Sequence, residues 1–230
     1  MKFAITYSTA AGLDPDALVA YARHAEECGF EGLYLPEHVV LYPGAALGGF
    51  AFPPALRLLT VGLGTLPGEA EAAGVDFGTR GRRADEAIDV LRLLWEGGEE
   101  GVSFDGEFFA FDDACVFPKP HGVTHLPIHV GGSSTAAARR AGRRGDGYFP
   151  GGALTPAERA AQWELARATA AEAGRGPLEY TRWGSMIDMD ADRVEAFAAQ
   201  GVTRIVVAPA APEPERQREE MSAFAERFIF

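Results

Sequence analysis

A chain of 230 residues with 47% apolar and 23% charged side chains and a mean hydropathy of −0.06 carries enough apolar content to bury a full core, which excludes disorder. Thirty-three acidic against 21 basic residues leave a net charge of −12, which repels phosphate backbones and anionic lipid, so neither nucleic acid nor a membrane is an expected partner. Two cysteines, Cys28 and Cys115, with no Cys-x-x-Cys pair and no histidine cluster at metal-ligand spacing, point away from a disulfide framework and from a metal site.

The chain opens on an apolar run, Phe3 to Tyr7, read as a strand. No basic segment followed by a long apolar one precedes it, and no window reaches 18 apolar residues, so a cytoplasmic location is expected. Asp14-Pro15 supplies an N-cap and a first-turn proline. Leu18, Tyr21, Ala22, Ala25 and Cys28 then recur with helical spacing up to Gly29, a residue suited to a C-cap. Phe30 to Leu35 reads as a second strand, parallel to the first across a right-handed βαβ crossover. Further strands are predicted at Leu58–Leu63, Ile128–Val130, Gly147–Phe149, Leu178–Met186 and Thr203–Ala208. Helices are predicted at Asp85–Trp95, Thr135–Arg143, Pro156–Ala173, Ala191–Gln200 and Glu213–Phe228. Val102–Pro120, rich in Phe and Val with Asp105-Gly106 as a turn, reads as a β-hairpin excursion. Pro36–Leu56 shows neither period and is long for a connection inside a compact domain.

Seven strands alternating with helices, and no linker, define one α/β domain over residues 1–230 with a parallel sheet. A (β/α)8 barrel requires eight strands, so barrel and doubly wound open sheet both stand on this pattern alone.

Val130-Gly131-Gly132-Ser133-Ser134-Thr135 ends an apolar run and opens an Ala-rich helix. Backbone N–H groups, hydroxyls and the positive helix end there suit an anion such as a phosphate; a plain βα turn with a serine cap accounts for the residues equally well. Arg139, Arg140, Arg143 and Arg144 follow, either to hold a charged tail or as a solvated helix face. Glu37-His38 comes directly after the second strand, where side chains of a barrel mouth converge. His38 is a candidate proton donor with Glu37 to tune it, and packing in a loop is the ordinary alternative. Gly64, Thr65 and Glu69 leave the Leu58 strand through a Gly-rich turn too loose for a dinucleotide fingerprint.

Four segments in order, DPDALVAYARHAEECGFEGLYLPEHVV, GVDFGTRGRRADEAIDVLRLLW, VSFDGEFFAFDDACVFPKP and LPIHVGGSSTAAARRAGRRGDGYFP, resemble the bacterial luciferase-like monooxygenase superfamily, most of all its branch of oxidoreductases dependent on the deazaflavin coenzyme F420. The resemblance implies a TIM (β/α)8-type barrel that binds F420 or, as the alternative, FMN. It places the cofactor phosphate near Gly131, Gly132, Ser133 and Ser134 and the ring at the C-terminal mouth. His38 matches the histidine that serves relatives as proton donor or substrate-orienting group, beside Glu37. Gly64, Thr65 and Glu69 match a turn that in some relatives contributes a ring contact and an acid.

The chain departs from that family between Gly44 and Arg57, where the third strand and its helix have no counterpart. In relatives that strand backs the cofactor ring and its helix often contributes to the dimer. Loss of one strand leaves an edge to be covered, and it leaves cofactor binding and the homodimer open. Three functions follow as expectations: hydride transfer between F420 and a small organic substrate, an FMN-dependent monooxygenase, and a non-catalytic binder of a flavin-like ligand.

Overall fold

The computed structural model describes residues 1–7, 15–34, 59–63, 67–120, 122–151 and 154–230. It packs as two compact units, Met1–Leu56 with Tyr180–Phe230, and Arg57–Glu179. Among the described residues nine strands run in order: β1 (Lys2–Thr6), β2 (Leu33–Tyr34), β3 (Leu59–Val61), β4 (Val102–Asp105), β5 (Ala110–Ala114), β6 (Ile128–Gly131), β7 (Gly147–Phe149), β8 (Glu179–Ser185) and β9 (Arg204–Ala208). Seven helices accompany them: α1 (Pro15–Glu27), α2 (Pro67–Ala72), α3 (Arg80–Glu96), α4 (Thr135–Arg144), α5 (Pro156–Glu172), α6 (Ala191–Ala199) and α7 (Pro214–Phe228). Every strand except β4 and β5 pairs in parallel, so the α/β class and the seven expected strands are what the chain forms. The interruption assigned to residues 44–57, like the N-cap assigned to Asp14, falls outside the described residues.

In the first unit the strand order is β2-β1-β9-β8. Ile205, Val206 and Val207 are wholly buried, as expected of an inner parallel strand covered on both faces. Phe3 stands edge-on to Phe224 of α7 at 5.2 Å, Phe30 stacks on Phe224 at 5.8 Å, and Phe224 meets Phe228 at 4.8 Å. This aromatic cluster fastens α7 to the outer face of β1. Phe30 was expected inside the second strand. It lies before β2 instead, held in that cluster, and only Leu33 and Tyr34 join the ladder at this edge of the unit's sheet.

Arg204 is 3% exposed and forks onto Glu31, with Nε and a terminal nitrogen each 2.9 Å from its carboxylate; Lys2 adds a second cation at 3.2 Å. Burial pushes the Glu31 carboxyl up, but the hydrogen bonds and charges of these two cations, Arg204 and Lys2, outweigh it and hold the group below its usual value. The stabilisation is therefore present above the ordinary glutamate value and is lost as pH falls through the lowered one. Urea midpoints measured from about pH 6 down to about pH 3 should fall less steeply in Glu31→Gln than in the parent. Identical slopes would remove Glu31 from the acid transition.

In the second unit β7-β6-β3 form a parallel ribbon, and β4 and β5 the antiparallel hairpin. Its loop is four residues, Gly106 to Phe109, closed by Gly106 N–H on Phe109 O at 2.9 Å, not a two-residue Asp-Gly turn. The reason is Glu86 of α3, whose carboxylate accepts from the N–H groups of Glu107, Phe108 and Phe109 at 3.0, 2.8 and 2.7 Å. Against the upward push of desolvation, those three bonds and the Arg83 charge hold its carboxyl below the usual range. Arg83 also lies 4.5 Å over the Phe108 ring.

Two further contacts organise this unit. Asp146, between α4 and β7, accepts from Arg92 at 2.7 Å, from Arg175 at 3.1 Å and from the Ile128 N–H at 2.9 Å. Helices α4 and α5 approach so closely that a Cβ on Gly142 would lie 2.6 Å from the Ala166 carbonyl oxygen.

Candidate functional site: the β6–α4 loop

Strand β6 delivers Gly131 to the ribbon's end, and the chain turns through Gly132 and Ser133 into α4. Gly132 has φ +131°, a conformation that side-chain-bearing residues rarely adopt. A Cβ there would also lie 2.9 Å from the Cβ of Ala137. Ser134 is the N-cap: its Oγ accepts from the Ala137 N–H at 3.1 Å. That hydroxyl is therefore spent on the helix, as the capping reading expects. The helix start still leaves the N–H groups of Ser134, Thr135 and Ala136 without intrahelical acceptors, and no acceptor among the described residues meets them. Ser133 and Thr135 are exposed beside them. A capped helix start and open N–H groups thus coexist in one loop.

Two side chains pin the loop from behind. Tyr148 of β7, fully buried, places its hydroxyl 3.0 Å from the Gly132 carbonyl oxygen and 2.5 Å from Gln162 Oε1. Gln162 of α5 donates through Nε2 to the Ser133 carbonyl oxygen at 2.8 Å. Both carbonyls are thereby held inward, which fixes the peptide planes of the loop. The sequence reading missed this pair because the contacts span 14 to 29 positions. The available signal was Gln162 itself, a polar residue on the helical stripe shared with Ala166, Thr169 and Ala170, all buried.

The arginine run divides, and half of it corrects the charged-tail reading. Arg140, 7% exposed, binds Asp85 at 2.5 Å and the Gly81 carbonyl oxygen at 2.9 Å. Arg144 donates through Nε to both carboxylate oxygens of Asp89 at 3.0 and 3.1 Å. Both tie α4 to α3 and are committed there. Arg139 and Arg143 are exposed.

Glu37, His38, Gly64 and Thr65 lie outside the described residues. Glu69 was expected on a Gly-rich turn. The backbone instead forms the short helix α2 from Pro67 onward, with proline at its first position, and its side chain is not among those described. His129, fully buried, lies 3.1 Å from Glu179, and a Cβ on Gly147 would strike its ring. Among the described residues no group of three or more His, Cys, Asp or Glu side chains is placed to hold a metal ion, and no helix is long and apolar enough to cross a membrane.

The family model for luciferase-like monooxygenases matches residues 57–226. The chain belongs to the luciferase-like monooxygenase family. This luciferase-like chain is 36% identical over 129 residues to a phthiodiolone/phenolphthiodiolone dimycocerosates ketoreductase of a Mycobacterium species, covering 54% of the chain and 34% of the relative. It is 35% identical over 110 residues to an F420-dependent glucose-6-phosphate dehydrogenase of Segniliparus rotundus, covering 48% of the chain and 29% of the relative. The matched part therefore spans only about a third of those proteins' length. A monooxygenase of Streptomyces bottropensis superposes over 100% of this chain and 99% of its own, with TM-score 0.76 at 20% identity. An F420-dependent secondary alcohol dehydrogenase, solved with an F420–acetone adduct, superposes over 98% and 97% with TM-score 0.71 at 18% identity. At such identities the superpositions speak for the fold, which is that of the family's TIM-type barrels.

Proposed function

We propose that this protein transfers a hydride between coenzyme F420 and a small organic substrate whose reacting carbon alternates between alcohol and carbonyl. The single observation behind the choice of cofactor is the identity shared with F420-dependent glucose-6-phosphate dehydrogenases. The ketoreductase among the relatives supports the same alcohol–carbonyl chemistry. Deazaflavin, when bound, supplies the hydride acceptor or donor. The chain's own residues supply the rest.

The β6–α4 loop fits the cofactor's phosphate: donors without acceptors, a positive helix end, and a glycine that keeps Cβ atoms out of the approach. Gly131, Gly132 and Ser133 would hold that phosphate. The Ser134 N–H would join them while its hydroxyl caps the helix. His38 would protonate or deprotonate the substrate oxygen as the carbonyl–alcohol couple turns over, with Glu37 setting its charge. Gly64 and Thr65 would border the ring and Glu69 would add an acid to the mouth. A homodimer in the cytoplasm completes the reading.

The experiment is His38→Ala assayed with F420 against glucose 6-phosphate and simple secondary alcohols, following loss of the oxidised cofactor's visible absorbance. Turnover should fall by roughly 10²- to 10³-fold while F420 affinity stays within about threefold. An unchanged rate removes His38 from the mechanism. The FMN-dependent alternative draws on the Streptomyces monooxygenase, whose likeness is one of fold.

A further inference from the structure

His24 of α1 and Cys28, the residue just past its end, are four apart; the Cys28 N–H still bonds the His24 carbonyl oxygen at 2.9 Å, so the two share one stripe. Arg218 and Ser222 share one on α7. The two stripes meet: His24 Nε2 lies 3.0 Å from the Arg218 carbonyl oxygen, 2.9 Å from Ser222 Oγ and 3.6 Å from Cys28 Sγ, and Sγ lies 3.9 Å from Oγ. A ring nitrogen carries at most one hydrogen, yet three heteroatoms crowd in front of this one. A cation on the ring lone pair would serve all three at once.

We propose that His24, Cys28 and Ser222 form a binding site for one thiophilic divalent cation of the zinc class, with the Arg218 carbonyl oxygen as fourth donor. Tetrahedral zinc with its usual bond lengths sets a thiolate sulfur and an imidazole nitrogen about 3.5 Å apart, and the observed separation is 3.6 Å. The three distances among nitrogen, sulfur and hydroxyl oxygen leave room for a point about 2.0 to 2.3 Å from each, the span of zinc–ligand bonds. Behind the ring, Nδ1 lies 3.6 Å from the Glu27 carboxylate, beyond hydrogen-bond range but on the side where metal-binding histidines commonly meet a carboxylate. An open groove of about 550 Å³ leads to His24 and Ser222, lined by Glu215, Glu219 and Glu226 against the single cation Arg218. Its net negative charge draws cations in. Binding displaces the thiol proton to solvent.

Only two of the four donors are His or Cys, and the partners from α7 lie 194 and 198 positions away from His24. A search of the sequence for three or four closely spaced ligands therefore passes over the site.

The test uses the Cys115→Ser protein, in which Cys28 is the sole thiol. Anaerobic titration with Co²⁺ should raise a thiolate-to-cobalt charge-transfer band that saturates at one equivalent and is erased by Zn²⁺. The band should vanish in Cys28→Ser, and Co²⁺ affinity should fall at least tenfold in His24→Gln. No band at millimolar Co²⁺, a band surviving Cys28→Ser, or an affinity unchanged by His24→Gln would each overturn the site.

Discussion

Gly142→Ala is expected to lower the stability of the chain by about 2–3 kcal/mol, although alanine is the better helix former by roughly 1 kcal/mol. The new Cβ would lie 2.6 Å from the Ala166 carbonyl oxygen, 2.6 Å from Thr169 Cβ and 2.9 Å from the Ala170 nitrogen. Two of those three are backbone atoms of α5, so no rotamer change relieves the clash and the helices must separate. Separation also disturbs the seat of Gln162, one turn along the same helix, and with it the loop at Ser133. At about 2–4 °C per kcal/mol for a chain of this size, the melting midpoint should drop by roughly 5–10 °C. Gly176→Ala is the control, because a Cβ there meets nothing within 4 Å, and it should stay within about 0.5 kcal/mol of the parent. Equal melting of Gly142→Ala and parent would mean that α4 and α5 are not packed this closely.

Gly132→Val is expected to have the second large effect, on the binding of the proposed cofactor. Valine at φ +131° is strained, and its Cβ would meet Ala137 Cβ at 2.9 Å, so the loop must move and its N–H groups lose their common aim. Charge-assisted hydrogen bonds and the helix end together are worth about 2–3 kcal/mol to a bound phosphate, or roughly 30- to 150-fold in Kd. That loss should be confined to ligands carrying the phosphate. The deazaflavin riboside, which lacks it, should bind parent and variant alike. Equal losses for both ligands would show that Gly132 shapes the loop without meeting the phosphate.

Helices and strands with a strong apolar period were legible in the residues: α5 begins at Pro156 and β7 spans Gly147–Phe149, both where expected. The differences sit where tertiary contacts set the boundary. Helix α3 starts at Arg80, five residues ahead of the expected Asp85, because Gly81 and Asp85 receive Arg140 of α4 while Arg82 and Arg83 cover Phe108. Those contacts join residues 25 to 59 positions apart, and nothing local announces them.

The candidate site was legible in a different way. Glycine and serine after a strand state what the backbone can do, and Gly132 and Ser134 do it. Which carbonyls Tyr148 and Gln162 restrain is decided by how β7 and α5 pack, which no short motif records. Arg140 and Arg144 show the converse: four arginines in six residues look like one basic patch, and the neighbouring carboxylates on α3 claim two of them.

The central claim is that the luciferase-like chain is an F420 enzyme. The measurement that tests it most directly is an anaerobic fluorescence titration of the purified 230-residue protein, its mass verified, with F420 and separately with FMN. Saturable one-to-one binding of F420, with FMN bound at least tenfold more weakly, is the predicted result. Tight FMN binding without F420 binding would contradict it in favour of a flavin monooxygenase, and binding of neither would leave a family member without a cofactor.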